Sequence, residues 1–577
     1  MRRGLASWII FASACGSSTV EDFDGGATTR PDATTTAKPD ASATLDDASA
    51  PEDDATATIA DDAGPPSDAL PAVPPFPVRV AYAATAADPT LLELFLTDTS
   101  TSRARVHGAL AGGPTEPTKG PLTGGLQEFR WSRDGQRLLY LAQQDTFELT
   151  ELYVADVPGR RPAARRKLSN PSTVDAAGAF EESRVSARVA FQQTIAGAMT
   201  SMFVVSSSAA TPIPRRLSQG LPSPPVWSPV ADQLVWHDII VSRNDRDLWF
   251  ADTRRGTRER VNPGANLGFG GAMDWAPDGA SFVYSADERA DRLFELFGVP
   301  ITSGVLGART RLHPAFPAGA QVAGFTDVRV LYSPDGTRVA YAADPITRRL
   351  DELFVIDLTA MGPTVPRVVS NANATGDGVT RFAFNGDGSW LVYASNVTGS
   401  GQYDLFLADP SGVIPAATIS PVQSVRREAW AHGDDTIVME IDERDVHRLY
   451  AARITATGPD GAAVLISNPD EHVESWDLSR DGNHLIYSVE AAAGRYELHA
   501  VDLGTLASRR LTSGSMRAVW CWASKQTRAL AIVTDLEVSG TAELYWVADV
   551  VAPTFAKISG PLVEDGDVLS CAFPPDL

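Results

Sequence analysis

One short hairpin occurs five times along this chain, and it constrains the fold more than any other feature. Each copy has an aromatic or bulky apolar start, a turn ending in Asp-Gly and a second apolar run: "WSRDGQRLLYLAQ" from Trp131, "WAPDGASFVYSAD" from Trp275, "YSPDGTRVAYAAD" from Tyr332, "FNGDGSWLVYASN" from Phe384 and "LSRDGNHLIYSVE" from Leu478. Glycine accepts a positive φ and aspartate bonds its own backbone, as tight turns require. We therefore expect an all-β array of similar units.

The units recur at a nearly fixed spacing. Eight are marked by the residue that precedes the turn: Trp131, Trp227, Trp275, Tyr332, Phe384, Trp430, Trp476 and Trp522. A ninth, with strands from Ser186 and Ser201, lacks the aromatic residue. From Trp227 onward the steps are 48, 57, 52, 46, 46 and 46 residues, which is typical of four-stranded propeller blades. The aromatic residues are expected to pack between blades, because one sheet cannot bury both faces alone.

The third strand of each unit is also recognisable, because it often ends in aspartate. Such endings occur at Asp156, Asp252, Asp357, Asp409, Asp502 and Asp549. Since aspartate readily bonds nearby backbone N–H groups, these residues are predicted to cap the turn that follows.

The two ends of the repeat region predict one shared blade. Residues 78–98 supply a second and a third strand without a first, and the segment ending at Phe573 supplies a first strand. The C-terminal strand should therefore complete the N-terminal blade, which hides edges that would otherwise aggregate. Residues 77–577 are thus predicted to form a β-propeller of about ten four-stranded units. Two fused rings are the alternative, because ten blades make a large ring.

The first 76 residues predict export and a tether. Residues 1–15 have two arginines, a short apolar stretch and small residues ahead of Cys15, the layout of an export signal. This resembles a bacterial lipoprotein signal and implies a lipid on Cys15; an ordinary cleaved signal is the alternative. Residues 16–76 contain 13 acidic residues against Arg30 and Lys38, which predicts a disordered linker. The expected location is the periplasm or cell surface, with a lipid anchor in the outer membrane.

The Ser-Pro-Asp-Gly hairpin followed by "ELYVAD"-type strands resembles the TolB-like, WD-repeat-like propeller repeats of the bacterial envelope. The resemblance covers nearly all of residues 78–577 and rests on turn and packing positions. It therefore implies the fold and an envelope setting rather than an activity. The acidic linker stands where TolB has a separate domain, so TolB itself is not expected. The same repeat builds the propeller of prolyl-oligopeptidase-type enzymes, whose hydrolase domain has no counterpart here.

Charge and motifs narrow the classes of function. Forty-nine basic against 72 acidic residues give a net charge of −23, which argues against nucleic acid as a partner. The sequence has no G-x-S-x-G, H-E-x-x-H or P-loop motif. Its eight histidines lack metal-binding spacing, although a propeller funnel could gather distant ones such as His237 and His432. Each Asp-Gly carboxylate should form a turn, because calcium needs six to eight oxygens. We predict no enzyme activity, cofactor or metal.

Cys521 and Cys571 fall on the first strands of neighbouring units, and an exported protein could join them. Cys521 lies one residue before Trp522, whereas Cys571 lies two residues before Phe573. This difference predicts side chains on opposite faces. Free thiols are therefore expected, and a disulfide is the alternative.

The loops between second and third strands are the candidate partner-binding loops, because the units resemble each other least there. They carry seven arginines: Arg243, Arg246, Arg289, Arg292, Arg348, Arg349 and Arg444. These loops should emerge at the same end of the propeller as the blade-to-blade connections, and binding sites favour variable loops on a rigid scaffold. Solvated loops with local ion pairs are the alternative.

The function expected from these features is that of a monomeric, envelope-anchored scaffold without enzyme activity. It would bind a protein or peptide on the loop-rich face and touch the membrane only through its lipid. The alternative is a carbohydrate-active lyase or hydrolase that uses residues of the central funnel. A structural surface protein without a specific ligand is a third reading.

Overall fold

A computed structural model describes residues 79–575, except for short segments. The excepted residues are 87–90, 99–102, 108–124, 146–148, 160, 171–176, 195–199, 219, 241–244, 263–268, 289–292, 315–320, 323–329, 346–349, 360–361, 364, 372–377, 397–400, 423, 432–434, 516–518, 524–527 and 563–565. The described residues form ten antiparallel sheets, called blades 1 to 10 in chain order. No helix in this part of the chain has the length and apolarity needed to cross a lipid bilayer.

Blades 1 to 5 have the following strands. Blade 1 contains β1 (Val80–Ala84), β2 (Glu93–Thr97), β3 (Ala104–Arg105) and β45 (Val568–Ala572). Blade 2 contains β4 (Leu126–Trp131), β5 (Arg137–Ala142), β6 (Glu151–Asp156) and β7 (Arg165–Lys167). Blade 3 contains β8 (Phe180–Glu182), β9 (Arg188–Gln193), β10 (Ser201–Ser206) and β11 (Arg215–Arg216). Blade 4 contains β12 (Leu221–Pro222), β13 (Val226–Trp227), β14 (Gln233–Ile240), β15 (Asp245–Asp252) and β16 (Thr257–Arg260). Blade 5 contains β17 (Phe269–Trp275), β18 (Ser281–Ala286), β19 (Glu295–Thr302), β20 (Val305–Leu306) and β21 (Thr310–Arg311).

Blades 6 to 10 complete the set. Blade 6 contains β22 (Gln321–Val322), β23 (Val330–Tyr332), β24 (Arg338–Asp344), β25 (Glu352–Thr359), β26 (Gly362–Pro363) and β27 (Arg367–Val368). Blade 7 contains β28 (Gly378–Phe384), β29 (Leu391–Asn396), β30 (Asp404–Ala408) and β31 (Ala417–Thr418). Blade 8 contains β32 (Val425–Trp430), β33 (Thr436–Asp442), β34 (His447–Thr455), β35 (Gly458–Pro459) and β36 (Val464–Leu465). Blade 9 contains β37 (Val473–Leu478), β38 (His484–Ala492), β39 (Arg495–Asp502) and β40 (Ala507–Arg510). Blade 10 contains β41 (Val519–Trp522), β42 (Leu530–Thr534), β43 (Glu543–Val547) and β44 (Phe555–Lys557).

The blades form one ring. Each described pair of neighbouring blades shares a buried apolar cluster, and the series returns to its start. Leu544 of blade 10 packs with Tyr82 of blade 1, and Leu94 of blade 1 packs with Phe129 of blade 2. The predicted ten-unit propeller is therefore confirmed. The alternative of two fused rings is wrong, because a second ring would break this continuous series of contacts.

The aromatic residue before each turn packs between blades, as predicted, and in several blades it also makes a hydrogen bond. The indole Nε1 of Trp131 donates to the Ala572 carbonyl of blade 1 at 3.0 Å. Trp275 donates in the same way to Val226 of blade 4 at 3.1 Å. Each bond joins the first strand of one blade to the first strand of its neighbour. The bonds therefore fix the relative positions of these strands along the axis of the ring.

The Asp-Gly turns between first and second strands are held by their own aspartate, as the sequence indicated. In blade 2, Asp134 accepts from the Ser132 hydroxyl at 2.5 Å and from the Gln136 N–H at 2.9 Å, while Gly135 has φ 61°. These bonds lower the pKa of Asp134, although burial acts in the opposite direction. The carboxylate is therefore committed to turn formation.

The aspartates that end third strands have two roles rather than one. Asp409 accepts from the Ser411 N–H at 2.7 Å and caps its turn, as predicted. Asp156 instead receives two hydrogen bonds from Arg166 of its own blade, at 2.5 and 2.7 Å. Because Arg166 also donates to Ser207 of blade 3 at 3.0 Å, this aspartate supports a blade junction.

The C-terminal strand completes blade 1, as the sequence predicted. β45 pairs with β1 from Ala81 opposite Ala572 to Ala84 opposite Val568. The side chain of Thr85 accepts from the Asp567 N–H at 2.8 Å, across 482 positions of sequence. The blade is therefore assembled from the two ends of the repeat region.

The expectation of free thiols is wrong, because Cys521 and Cys571 form a disulfide with Cα atoms 6.0 Å apart. Adjacent blades stack face to face, so residues that meet at a junction must lie on opposite faces of their own sheets. Cys521 pairs with Ala531, and Cys571 pairs with Tyr82. Both of these partners belong to the cluster between blades 10 and 1. The one-residue offset therefore brings the cysteines together.

Candidate functional site on the upper face of blades 8 and 9

The upper face is defined here as the end of the ring where loops between second and third strands emerge beside the blade connectors. The two kinds of segment touch at several blades, as where the Val379 N–H donates to the Asp351 carbonyl at 2.8 Å. At Gly378, with φ 74°, an added Cβ would lie 2.3 Å from the Asp351 nitrogen. Only glycine fits this approach, so the connector is fixed on the preceding blade.

The structure does not gather the predicted arginines into one described site. Five of them lie outside the described residues: Arg243, Arg289, Arg292, Arg348 and Arg349. Arg246 lies in β15 of blade 4, where burial lowers its pKa. Arg444 is exposed in blade 8. These two are separated by four positions around the ring, so the expectation that all seven, among acidic residues, surround one end of the propeller stays a prediction.

Arg444 forms the tip of a tight hairpin between β33 and β34. Arg444 and Asp445 have φ of 59° and 67°. The flanking Glu443 and Val446 exchange backbone hydrogen bonds of 2.8 and 3.4 Å. Two positive φ values in a two-residue loop indicate a type I′ turn, which matches the twist of the strands. The guanidinium is therefore presented from a short, defined turn.

The connector between blades 8 and 9, residues 468–474, lies next to this hairpin. The Nδ1 atom of His472 accepts from the His447 N–H at 3.2 Å, and the two imidazole centroids are 4.3 Å apart. Arg448 donates to the Pro469 carbonyl at 2.9 Å. One side of the connector is thus held on blade 8.

A second hairpin, between β38 and β39, projects from blade 9. Its residues from Glu490 to Gly494 are exposed, and the Gly494 N–H donates to the Glu490 carboxylate at 2.7 Å. At its base, Arg495 reaches blade 10 and donates to Asp535 at 3.1 Å. The hairpin is therefore braced on the neighbouring blade.

These three segments together are strongly acidic. Residues 440–448, 468–474 and 490–497 contain nine aspartates and glutamates against three arginines. Part of the charge is balanced by arginines, since Arg448 pairs with Glu443 and Arg510 with Glu497. The upper face of blades 8 and 9 thus favours a cationic partner, whereas the predicted arginines would favour an anionic one.

One group of side chains at this face could hold a metal ion. A ligand atom from each of Glu471, Glu497 and His499 lies within 4.8 Å of the other two. Nε2 of His499 is 3.7 Å from Glu471 and 3.6 Å from Glu497. Sequence analysis missed the group, because Glu471 comes from a connector and the other two from a strand. The only available signal was the i, i+2 spacing of Glu497 and His499, which puts them on one strand face.

Among the described residues that the enzyme alternative could use, two carboxylates are engaged with an arginine. On the first strands, Glu128 and Glu181 both pair with Arg130, at 2.7 and 2.8 Å. His237, on a second strand, is half-buried, and its burial lowers its pKa to about 4, with a smaller contribution from Arg246. His432 lies outside the described residues.

The lower face has a cleft of about 510 Å³ between blades 7 and 8, lined partly by Asp387, Asp409 and Trp390. Asp387 and Asp409 accept backbone hydrogen bonds from Ser389 and Ser411 at 2.8 and 2.7 Å. Both carboxylates are therefore engaged in their own turns.

No protein-family model and no curated protein matches the chain. Solved propeller-containing structures resemble it at low sequence identity. A eukaryotic initiation factor is 10% identical, with a TM-score of 0.44 and coverage of 76% of this chain and 97% of that one. TolB from Acinetobacter baumannii is 15% identical, with a TM-score of 0.27 and coverage of 58% and 79%. Dipeptidyl peptidase 4 from Porphyromonas gingivalis is 11% identical, with a TM-score of 0.44 and coverage of 77% and 59%. At these values the similarities assign neither a family nor an activity.

Proposed function

We propose that the chain is a non-enzymatic, envelope-anchored scaffold that binds a protein or peptide on the upper face of blades 8 and 9. The observation that carries the proposal is the excess of nine carboxylates over three arginines in three adjoining segments. Complementary charge steers association and rejects partners of the wrong sign. The partner is therefore a protein or peptide with exposed lysine or arginine residues.

The rigidity of these segments supports the proposal. The connector is fixed on blade 8 through His472 and Pro469, and the projecting hairpin is braced on blade 10 through Arg495. A surface that is already ordered loses little conformational entropy when a partner binds. Variable loops on a rigid ring are also where binding sites commonly occur.

The anchor in this proposal comes from residues 1–76, which lie outside the described residues. The signal-like residues 1–15, Cys15 and the acidic stretch 16–76 favour a lipid-tethered monomer at the periplasmic or outer surface of the envelope. Self-repulsion among the carboxylates would extend the tether. The propeller would then stand away from the membrane, with its upper face open to a partner.

The proposal is tested by crosslinking and pulldown from native membranes with an Asp470→Lys variant. Asp470 is exposed on the connector, and reversing its charge should weaken binding of the basic partner about tenfold. Asp460→Lys is the matched control, because Asp460 is equally exposed in a loop of blade 8 on the lower face. Equal recovery of every copurifying protein with both variants would contradict this face as the binding surface.

A second comparison tests the anchor. Cys15→Ala should remove the lipid and reduce recovery of the membrane-associated partner, while the isolated variant should still bind that partner in solution. If neither form recovers a stoichiometric partner, the scaffold function itself is wrong.

A further inference from the structure

The cluster of Glu471, Glu497 and His499 lies between the connector and the third strand of blade 9. Glu497 and His499 alternate along β39 and so share one face of that strand. Glu471 approaches from the connector, next to His472, which contacts blade 8. The connector therefore directs His472 toward blade 8 and Glu471 toward β39 of blade 9.

The spacing of the ligand atoms is close to that of a metal site. A Zn²⁺ ion lies about 2.1 Å from imidazole nitrogen and carboxylate oxygen ligands, so tetrahedral ligand atoms are about 3.4 Å apart. The two distances from His499 Nε2 to the glutamate oxygens are 3.7 and 3.6 Å. A small inward movement of either carboxylate would complete the geometry.

Two of these atoms, one on His499 and one on Glu471, are buried without hydrogen-bond partners among the described residues. The side chain of His499 is 9% exposed, and its Nε2 atom has no hydrogen bond there; neither does Oε2 of Glu471. Buried polar atoms are rarely left unpaired, because they lose their interactions with water. The imidazole is aimed at the two carboxylates and is held in place by stacking on Tyr487, with ring centroids 4.9 Å apart.

The charge balance around the three side chains also favours a cation. Burial lowers the pKa of His499, although Glu471 and Glu497 act to raise it. Arg510 donates to both oxygens of Glu497, at 3.2 and 3.4 Å. One guanidinium does not balance two carboxylates, and the Arg510 side chain is 59% exposed.

We infer that Glu471, Glu497 and His499 form a binding site for a divalent transition-metal ion of the Zn²⁺ type, completed by water. An imidazole with two carboxylates suits this class of ion, whereas Ca²⁺ takes six to eight oxygen ligands. The ion joins the connector to blade 9. The connector, already held on blade 8, is then fixed on both neighbouring blades. The site does not depend on the scaffold function.

The test is equilibrium dialysis of the tag-free, chelator-treated full chain against Zn²⁺, with elemental analysis of the bound metal. One Zn²⁺ per chain is expected, and Zn²⁺ should raise the melting temperature. His499→Gln should weaken binding at least about tenfold, since even loss of an outer-shell partner has an effect of that size. Glu471→Gln should do the same, and this connector variant keeps the test valid if His499→Gln fails to fold.

Two histidine variants serve as controls. His484 lies 3.9 Å from Asp481 and 4.0 Å from Asp502, but it faces them through different ring nitrogens. His484→Gln should therefore leave Zn²⁺ binding unchanged. Loss of the metal with His472→Gln but not with His499→Gln would place the site on the His447–His472 pair and overturn the inference. Absence of bound Zn²⁺, or equal displacement by Mg²⁺ or Ca²⁺, would overturn it too.

Discussion

Blades 1 and 2 contain the same four-stranded sheet, but they hold their first two strands together differently. In blade 2, β4 runs into β5 through the turn that Asp134 organises. In blade 1, β45 and β1 come from opposite ends of the repeat region and are joined by their ladder and by the adjacent Thr85–Asp567 contact rather than by a turn. The disulfide then ties β45 to β41 of blade 10.

The difference shows how a long-range pair replaces a local one. A tight turn closes a very short loop, whereas joining β1 to β45 closes nearly the whole chain, and the entropic cost rises with loop length. The crosslink between Cys521 and Cys571 reduces this cost on one side, because it keeps β45 near blade 10 even when blade 1 opens. The local turn in blade 2 and the covalent bond beside blade 1 therefore both lower the entropic cost of bringing a first strand to its second strand.

The largest effect is expected when the covalent bond is removed. With 50 positions between the cysteines, the chain-entropy relation gives a loss of about 4 kcal/mol in the free energy of unfolding for Cys521→Ser. Urea denaturation with and without reductant measures it, and reduction should bring wild type to the variant's midpoint. Cys15→Ser is the matched control and should change nothing. Free thiols at Cys521 and Cys571 in a non-reducing peptide map would contradict the disulfide.

The next effect concerns Glu182 of blade 3, which accepts from the Arg133 N–H in the blade 2 turn at 2.7 Å. Burial raises its pKa to about 7 from a usual 4.5, against the lowering effect of this bond and of Arg137. Folding therefore favours the protonated form of Glu182. Its contribution to the free energy of unfolding is complete below about pH 4.5 and is lost as the pH rises through about 7. Above that pH, Glu182→Gln should be more stable than wild type by about 3 kcal/mol.

Melting curves from pH 4 to 8 would measure the effect of Glu182→Gln, with about equal stability expected at the acidic end. Glu181→Gln, on the same strand but with a side chain 40% exposed, should keep the wild-type pH dependence. Parallel curves for wild type and Glu182→Gln would show that folding does not shift the pKa of this carboxyl.

The smallest effect is expected in the turn itself. Asp134→Ala removes the bonds to Ser132 and Gln136 and the 2.6 Å pair with Arg137. A loss of about 1 to 2 kcal/mol follows from such bonds. The same change at Asp387, whose carboxylate accepts from the Ser389 N–H on an exposed turn, should cost less. An equal loss at both positions in urea titrations would mean that the side-chain bonds of blade 2 add nothing.

Most of the fold was predictable, because its determinants are local in sequence. The turn at Asp134 and Gly135 and the packing of Trp131 follow from a few consecutive residues, and the period counts the blades. The cysteine pairing was wrongly predicted, because the comparison of Cys521 with Cys571 treated the two strands as one sheet. Strands of adjacent blades face each other, so their facing residues have opposite parity.

The candidate site was much less predictable. Arg444 lies between a second and a third strand, as the sequence indicated, but the charge around it depends on which segments lie side by side. Glu471 and His499 meet because a connector folds back over a strand, and neither residue sits in a recognisable motif. The acidic character of the face emerges only when the hairpins and the connector are considered together.

The position of the disulfide also determines how the ring responds to mechanical force. Cys571 lies next to Ala572, at the end of β45 where the C-terminal segment leaves the ladder. A pull on that segment would otherwise open the bonds to β1 one after another, as a zipper opens. In the oxidised protein the force passes through Cys571 into blade 10, and peeling stops after a single residue. Reduction would therefore turn a seam that resists pulling from its C-terminal side into one that opens in sequence.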